Sequence, residues 1–160
     1  MTPGSTQTQQ LLNALTARLR DALGNELGVE LFPEQPDTYR LNHAVGAVLV
    51  AYGKSTFSTP EATDAVFQAR HLVFRLTVVV RQLNGNDGAV GYLDSIRECL
   101  SGWYPPHCDS ACRPLHEHFI GQALGLWQYC LDIGVRATQL QAMTPAHGAL
   151  LRRSDFEGQP

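Results

Sequence analysis

The most regular alternation of apolar and polar positions lies at residues 69–83, ARHLVFRLTVVVRQL. Leu72, Phe74, Leu76, Val78 and Val80 interleave with His71, Val73, Arg75, Thr77, Val79 and Arg81. A strand sends successive side chains to opposite faces, so period two predicts one core face and one mixed, wetter face. No helical projection separates the two sets as well. At about 3.3 Å per residue the run would span roughly 50 Å, well beyond the usual strand. A strand of that length bends, or runs past its own sheet to serve a neighbour.

Period 3.6 replaces period two at residues 7–23. Leu11, Leu15, Leu19 and Ala22 recur on one side, Leu12 and Leu23 widen the stripe, and Arg18, Arg20 and Asp21 lie elsewhere. This predicts an amphipathic helix, stopped at Gly24 or Asn25. A short strand, VELFP at 29–33, ends at proline. Residues 41–57, LNHAVGAVLVAYGKSTF, hold a segment at 44–52 that is apolar on both faces. That segment predicts a central strand covered on both sides, with Gly46 and Gly53 as bulges or points of close approach. A loop at 58–65 joins it to the opening strand as a long antiparallel hairpin.

The turn NGNDG at 84–88 leads into a helix at 89–101, with Leu93, Ile96 and Leu100 on one face. Gly102 and the prolines of WYPP at 103–106 end it. Two strands follow, at 115–122 and 126–137. The second places Trp127, Tyr129, Leu131, Ile133 and Val135 on one face and Gln128, Cys130, Asp132 and Arg136 on the other. From residue 138 the periodicity fades, apart from a helical turn at 146–153. The predicted fold is α+β, a mostly antiparallel four- to five-stranded sheet with two helices packed on one face. Residues 7–137 form a single domain, 1–6 a flexible lead and 138–160 a tail.

Composition narrows the function. Charged residues make up only 17% of the chain, which suits a surface that meets other proteins. Net charge is −3 and there is no basic run, so the electrostatic footprint of a nucleic-acid binder is missing. There is no secretory leader and no apolar run near the ~18–20 residues of a membrane helix, so a cytosolic protein without a membrane partner is expected. In that compartment the four cysteines are free thiols or metal ligands rather than disulfides.

The sharpest chemical motif is Cys108-x3-Cys112-x3-His116-x-His118. Two thiols and two imidazoles can hold zinc tetrahedrally, and His116 and His118 share a face of their strand. The spacing matches no standard finger or ribbon, and the alternative is a loop with two thiols and two outward histidines. Catalytic machinery is not indicated. No Gly-x-Ser-x-Gly elbow occurs, and His43, His71, His107 and His147 have no Ser or Cys neighbour in a productive arrangement. The carboxylates Asp37, Glu61, Asp64, Asp94, Glu98 and Asp132 are scattered. No Gly-Lys-Ser/Thr follows the glycines of NGNDG. No enzyme activity is therefore expected, and no cofactor beyond zinc. Arg70, Arg75 and Arg81 lie along the long strand, which reads either as a solvated face or as a polar interface with a neighbour. Under the second reading the contact residues are His71, Arg75, Thr77 and Arg81. Trp103, Tyr104 and Trp127 read as core and helix-end packing.

The order of elements carries a resemblance. Helix QLLNALTARLRDAL, strand VELFP, the long hairpin, helix LDSIRECLSGWYPP and a closing hairpin ending LWQYCLDIGV follow one another. In sum this resembles the tail-terminator or tail-completion proteins of long-tailed phages, especially those of Mu-like prophages. The quoted marks are Leu100-Ser101-Gly102-Trp103-Tyr104-Pro105 and Trp127-Gln128-Tyr129, and the likeness spans about residues 7–137. The resemblance implies a structural protein. It would form a hexameric ring that caps the tail tube, stops its polymerisation and offers the head-joining surface. Its implied partners are its own copies, the tube or sheath protein and a head-completion protein. Its implied place is the host cytoplasm and then the head-proximal end of the virion tail. The Cys108–His118 loop and the tail after 138 match nothing in that family. Two alternatives stand beside it: a small zinc-binding protein, and a ligand-binding domain with its pocket between sheet and helices.

Overall fold

The structure is a computed structural model that describes residues 6–142. The two segments of period 3.6 form α1, Gln7–Leu23, and α2, Ala89–Leu100. Thr6 caps α1, its hydroxyl accepting from the Gln9 N–H, and Gly24 closes it through its own N–H to the Arg20 carbonyl. Leu11, Leu15, Leu19 and Leu23 are buried along one stripe. Each such leucine contributes about 1.5–3 kcal/mol of transfer free energy.

Five strands follow the alternating segments: β1 Gly28–Leu31, β2 Gly46–Phe57, β3 Phe67–Val80, β4 Arg113–Ala123 and β5 Leu126–Leu140. They form one sheet in the order β1-β2-β3-β5-β4. Every pairing is antiparallel except β1 with β2. This is the expected α+β architecture. The core lies between the sheet and both helices. Leu72, Phe74, Leu76, Val78 and Val80 of β3 meet Leu11, Leu15 and Leu19 of α1, Leu93 and Ile96 of α2, and Leu131, Ile133 and Val135 of β5. That packed layer fills the space where a ligand pocket had been considered.

Three features differ from the sequence reading. First, β3 does not overrun its sheet. It pairs with β5 from Phe67 to Val80 and with β2 from Arg70 to Val80, because its neighbours are comparably long. Second, β1 pairs in parallel with β2, so the chain between them must cross over; Tyr39 and Leu41 of that crossover pack on Ala47, Leu49 and Val79, on the face away from the helices. Third, β5 continues to Leu140, past the expected end at 137. The helical turn expected at 146–153 lies outside the described residues.

Candidate functional site

The sheet has a second face, carrying the residues that alternate with the core positions. The crossover after β1 covers one end of it, and the rest is open. Two bulges decide which side chains stand there. In β2 the register slips between Tyr52 and Lys54, so Lys54 lies opposite Val73 on the open face. Gly53 sits at the slip, where an added Cβ would come within 3.0 Å of the Val73 carbonyl oxygen. In β4 the register slips between Pro114 and His116, placing His116 opposite Asp132 and His118 opposite Cys130. A bulge re-aims a strand's side chains in this way.

At the centre of this face Arg75 pairs with Asp132, its direct partner across β3 and β5. Arg75 Nε donates to Oδ1 at 2.9 Å and Nη2 to Oδ2 at 3.0 Å, a bidentate charge-assisted contact. His116 Nε2 lies 3.1 Å from Oδ2, and the Cys130 thiol donates to Oδ1 at 3.6 Å. The pair is lopsided: the Asp132 side chain is 5% exposed and that of Arg75 is 51% exposed. Hydrogen bonding by Arg75 holds the Asp132 carboxyl below its usual range against the opposing pull of burial. The same contact raises Arg75 further above its ordinary value. Around the pair lies a groove of about 670 Å³, walled by Phe32, Ala51, Val73 and Leu115 and edged by Lys54 and His116.

The other expected contact residues are spread along the strand. Thr77 is buried on the same face. Arg81 lies beyond the end of β3 and is engaged, Nε donating to the Ala44 carbonyl at 3.1 Å and Nη2 to that of His43 at 3.2 Å. His71 is exposed near the opposite end, with Nε2 3.5 Å from the Ser58 hydroxyl. Arg70 turns to Ser55, donating from Nε at 2.9 Å.

The zinc quartet is not brought together. Cys112 is buried in the helix-side core and Cys108 packs against that core. His116 and His118 stand on the opposite, open face, their rings 5.9 Å apart. A layer of backbone separates thiols from imidazoles, and among the described residues no three His, Cys, Asp or Glu side chains are placed to hold a metal. Burial pushes the Cys108 thiol up to about 11 and that of Cys112 to about 12, away from the thiolate a metal needs. Trp103 and Trp127 pack against the core as expected, whereas Tyr104 is exposed.

Sequence reasoning missed the partnership of Arg75 with Asp132. Both had been placed on the polar sides of their strands; only the register joins them. It also missed Tyr39, whose buried hydroxyl has no hydrogen-bond partner among the described residues. Burial, then the nearby Glu30 charge, raises that phenol above its ordinary value.

Fold and face together define a two-layer α+β protein with one sheet surface committed to its core and the other left largely open. The Gp37 protein family model matches residues 15–158, and the chain belongs to that family. The match bears out a phage-related family and does not extend to the finer assignment to tail terminators of Mu-like prophages. No curated protein matches the sequence. Sixteen solved chains match its fold. One is a chain from the virion of a native gene transfer agent particle, with a TM-score of 0.54 and 10% identity over 82% of this chain and 97% of that one. At that identity the likeness is one of fold. No described helix is long and apolar enough to cross a membrane.

Proposed function

We propose that this protein is a structural component of a phage-type virion, acting at the tail. In the finer reading it forms a hexameric ring on the head-proximal end of the tail tube, ends tube growth and presents the surface that the head engages. It does so without catalysis, first in the host cytoplasm and then in the particle. The observation that carries this reading is the fold shared with nearly the whole of a chain from a gene transfer agent virion. Membership of the phage-related Gp37 family supports it. So does the distribution of exposed apolar side chains. Phe57, Val66, Phe67 and Leu140 cluster at one end of the long strands, and Phe119, Ile120 and Leu124 at the hairpin between β4 and β5. Apolar groups gathered at both ends of a sheet suit a subunit held between neighbours.

Deletion of the gene from a particle-producing host tests the proposal by electron microscopy. The expected result is tails of irregular length that fail to join heads, restored by the gene in trans. Joined tails of normal length in the deletion strain would refute it. Native mass spectrometry of the protein incubated with purified tube tests the ring, with six copies expected per tube end.

A further inference from the structure

The groove at Arg75 adjoins a smaller one of about 280 Å³ lined in part by Tyr39, Leu41 and Leu49, with Phe32 and Thr77 lining both. Side by side, the two grooves make a channel-like stretch of the open face along β3. Its charge is lopsided. The Asp132 carboxylate lies beneath the surface, while the Arg75 guanidinium is 51% exposed and the His116 ring 60% exposed. Lys54 stands beside them, aimed outward by the bulge at Gly53. Arg75 spends Nε and Nη2 on Asp132. What meets the solvent at this end is the half-exposed guanidinium and the Lys54 ammonium, both cationic. The walls are apolar.

We infer that this channel receives an extended segment of a partner protein, with an Asp or Glu side chain at Arg75 and Lys54 and apolar side chains along Phe32, Val73 and Leu115. The carboxylate would lie against the exposed side of a guanidinium already held rigid by Asp132 and beside Lys54, so little ordering is required on binding. Two adjoining apolar grooves with the cations at one end fit a chain segment better than a compact small molecule. The inference deepens the proposal above and rests on its reading of the open face as a contact surface.

The test is a titration of the isolated protein with N-acetyl-Leu-Glu-Leu-amide, followed by nuclear magnetic resonance. Saturable shifts are expected at the Arg75 Nε–H and the His116 ring. The Gln analogue should bind about tenfold more weakly, the loss of one charge-assisted hydrogen bond. Lys54→Gln, an exposed change outside the pair, should weaken the Glu peptide and leave the Gln peptide unaffected. Equal binding of the two peptides would overturn the inference, as would shifts spread evenly over exposed arginines or full reproduction of the effect by acetate. Because the titration needs no tail, its failure leaves the assembly proposal standing, and failure of the deletion experiment leaves the channel chemistry standing.

Discussion

Replacing Arg75 by Gln is expected to cost more stability than replacing its partner Asp132 by Asn. The reason is the unequal burial of the two groups. Removing the guanidinium leaves a carboxylate that is 5% exposed and has lost two hydrogen bonds of 2.9 and 3.0 Å. His116 and the Cys130 thiol remain near it, at 3.1 and 3.6 Å. Breaking a buried pair by deleting one member costs about 3–5 kcal/mol, and the remaining contacts favour the lower end, about 3 kcal/mol. Removing the carboxylate leaves a guanidinium already half in water, so the loss is that of the hydrogen bonds alone, about 1–2 kcal/mol. Urea unfolding read by the fluorescence of Trp103 and Trp127 measures both. The pH dependence gives a second signature. The folded carboxyl titrates below its unfolded value of about 3.9, so the pair's contribution is complete above that value and disappears as pH falls through the depressed folded one. In the Gln variant burial acts without the guanidinium, so its carboxyl protonates at higher pH than in the parent and the deficit should shrink as pH falls. A loss for Asp132→Asn equal to or greater than that for Arg75→Gln would refute the burial argument. So would a deficit of Arg75→Gln that stays constant down to pH 3.

Gly91→Ala in α2 should destabilise, although alanine ordinarily gains about 1 kcal/mol over glycine inside a helix. An added Cβ would come within 2.7 Å of the Gly85 carbonyl oxygen and 2.8 Å of Asn86, and relieving that contact is expected to cost a net 1–3 kcal/mol, roughly the range for overpacking, in a thermal melt. The thiols of Cys108 and Cys112 should resist Ellman's reagent at pH 8 in the native protein and react freely in denaturant, since burial keeps both protonated; prompt native labelling would contradict their placement in the core. Leu124 stands 98% exposed with φ of 55° at the tip of the last hairpin, ahead of Gly125 at φ of 77°. Leu124→Asn should raise the stability of the isolated chain by about 0.5–1 kcal/mol, because asparagine tolerates that conformation, while reducing tail joining in complementation.

The elements were legible where the information is local. The stripe of Leu11, Leu15 and Leu19 specifies α1, and Thr6 and Gly24 supply its ends. Alternation assigned Leu72, Phe74 and Leu76 to the helix side and Arg75 and Thr77 to the other, as found. Gly53 was legible as a bulge and Gly46 as a close approach, where a Cβ would sit 2.5 Å from the Val79 carbonyl oxygen. Pairing was not legible. Nothing near VELFP says that it pairs in parallel with β2, since parallel pairing depends on a crossover that here contains no long helix. The cysteines and histidines looked like one motif because they are close in sequence. The bulge between Pro114 and His116 turns both histidines to the open face, while the core claims the thiols that precede the strand.

The Arg75–Asp132 pair shows how the two sides of β3 come to have separate duties. Its helix-facing row would pack equally well in a register shifted by two residues, because Leu72, Phe74, Leu76 and Val78 are all large and apolar. Such a slip would leave Asp132 facing a valine or a threonine rather than Arg75, stranding a desolvated carboxylate at a cost of several kcal/mol. The ion pair therefore discriminates among registers that hydrophobic packing leaves close in energy. Once the register is set, the bulges at Gly53 and Leu115 bring Lys54 and His116 to the same spot. The residue that specifies the register thus also stands beside Lys54, so under the proposed contact a change at Arg75 should affect folding and contact together. Lys54, which takes no part in the register, is the position at which the two effects separate.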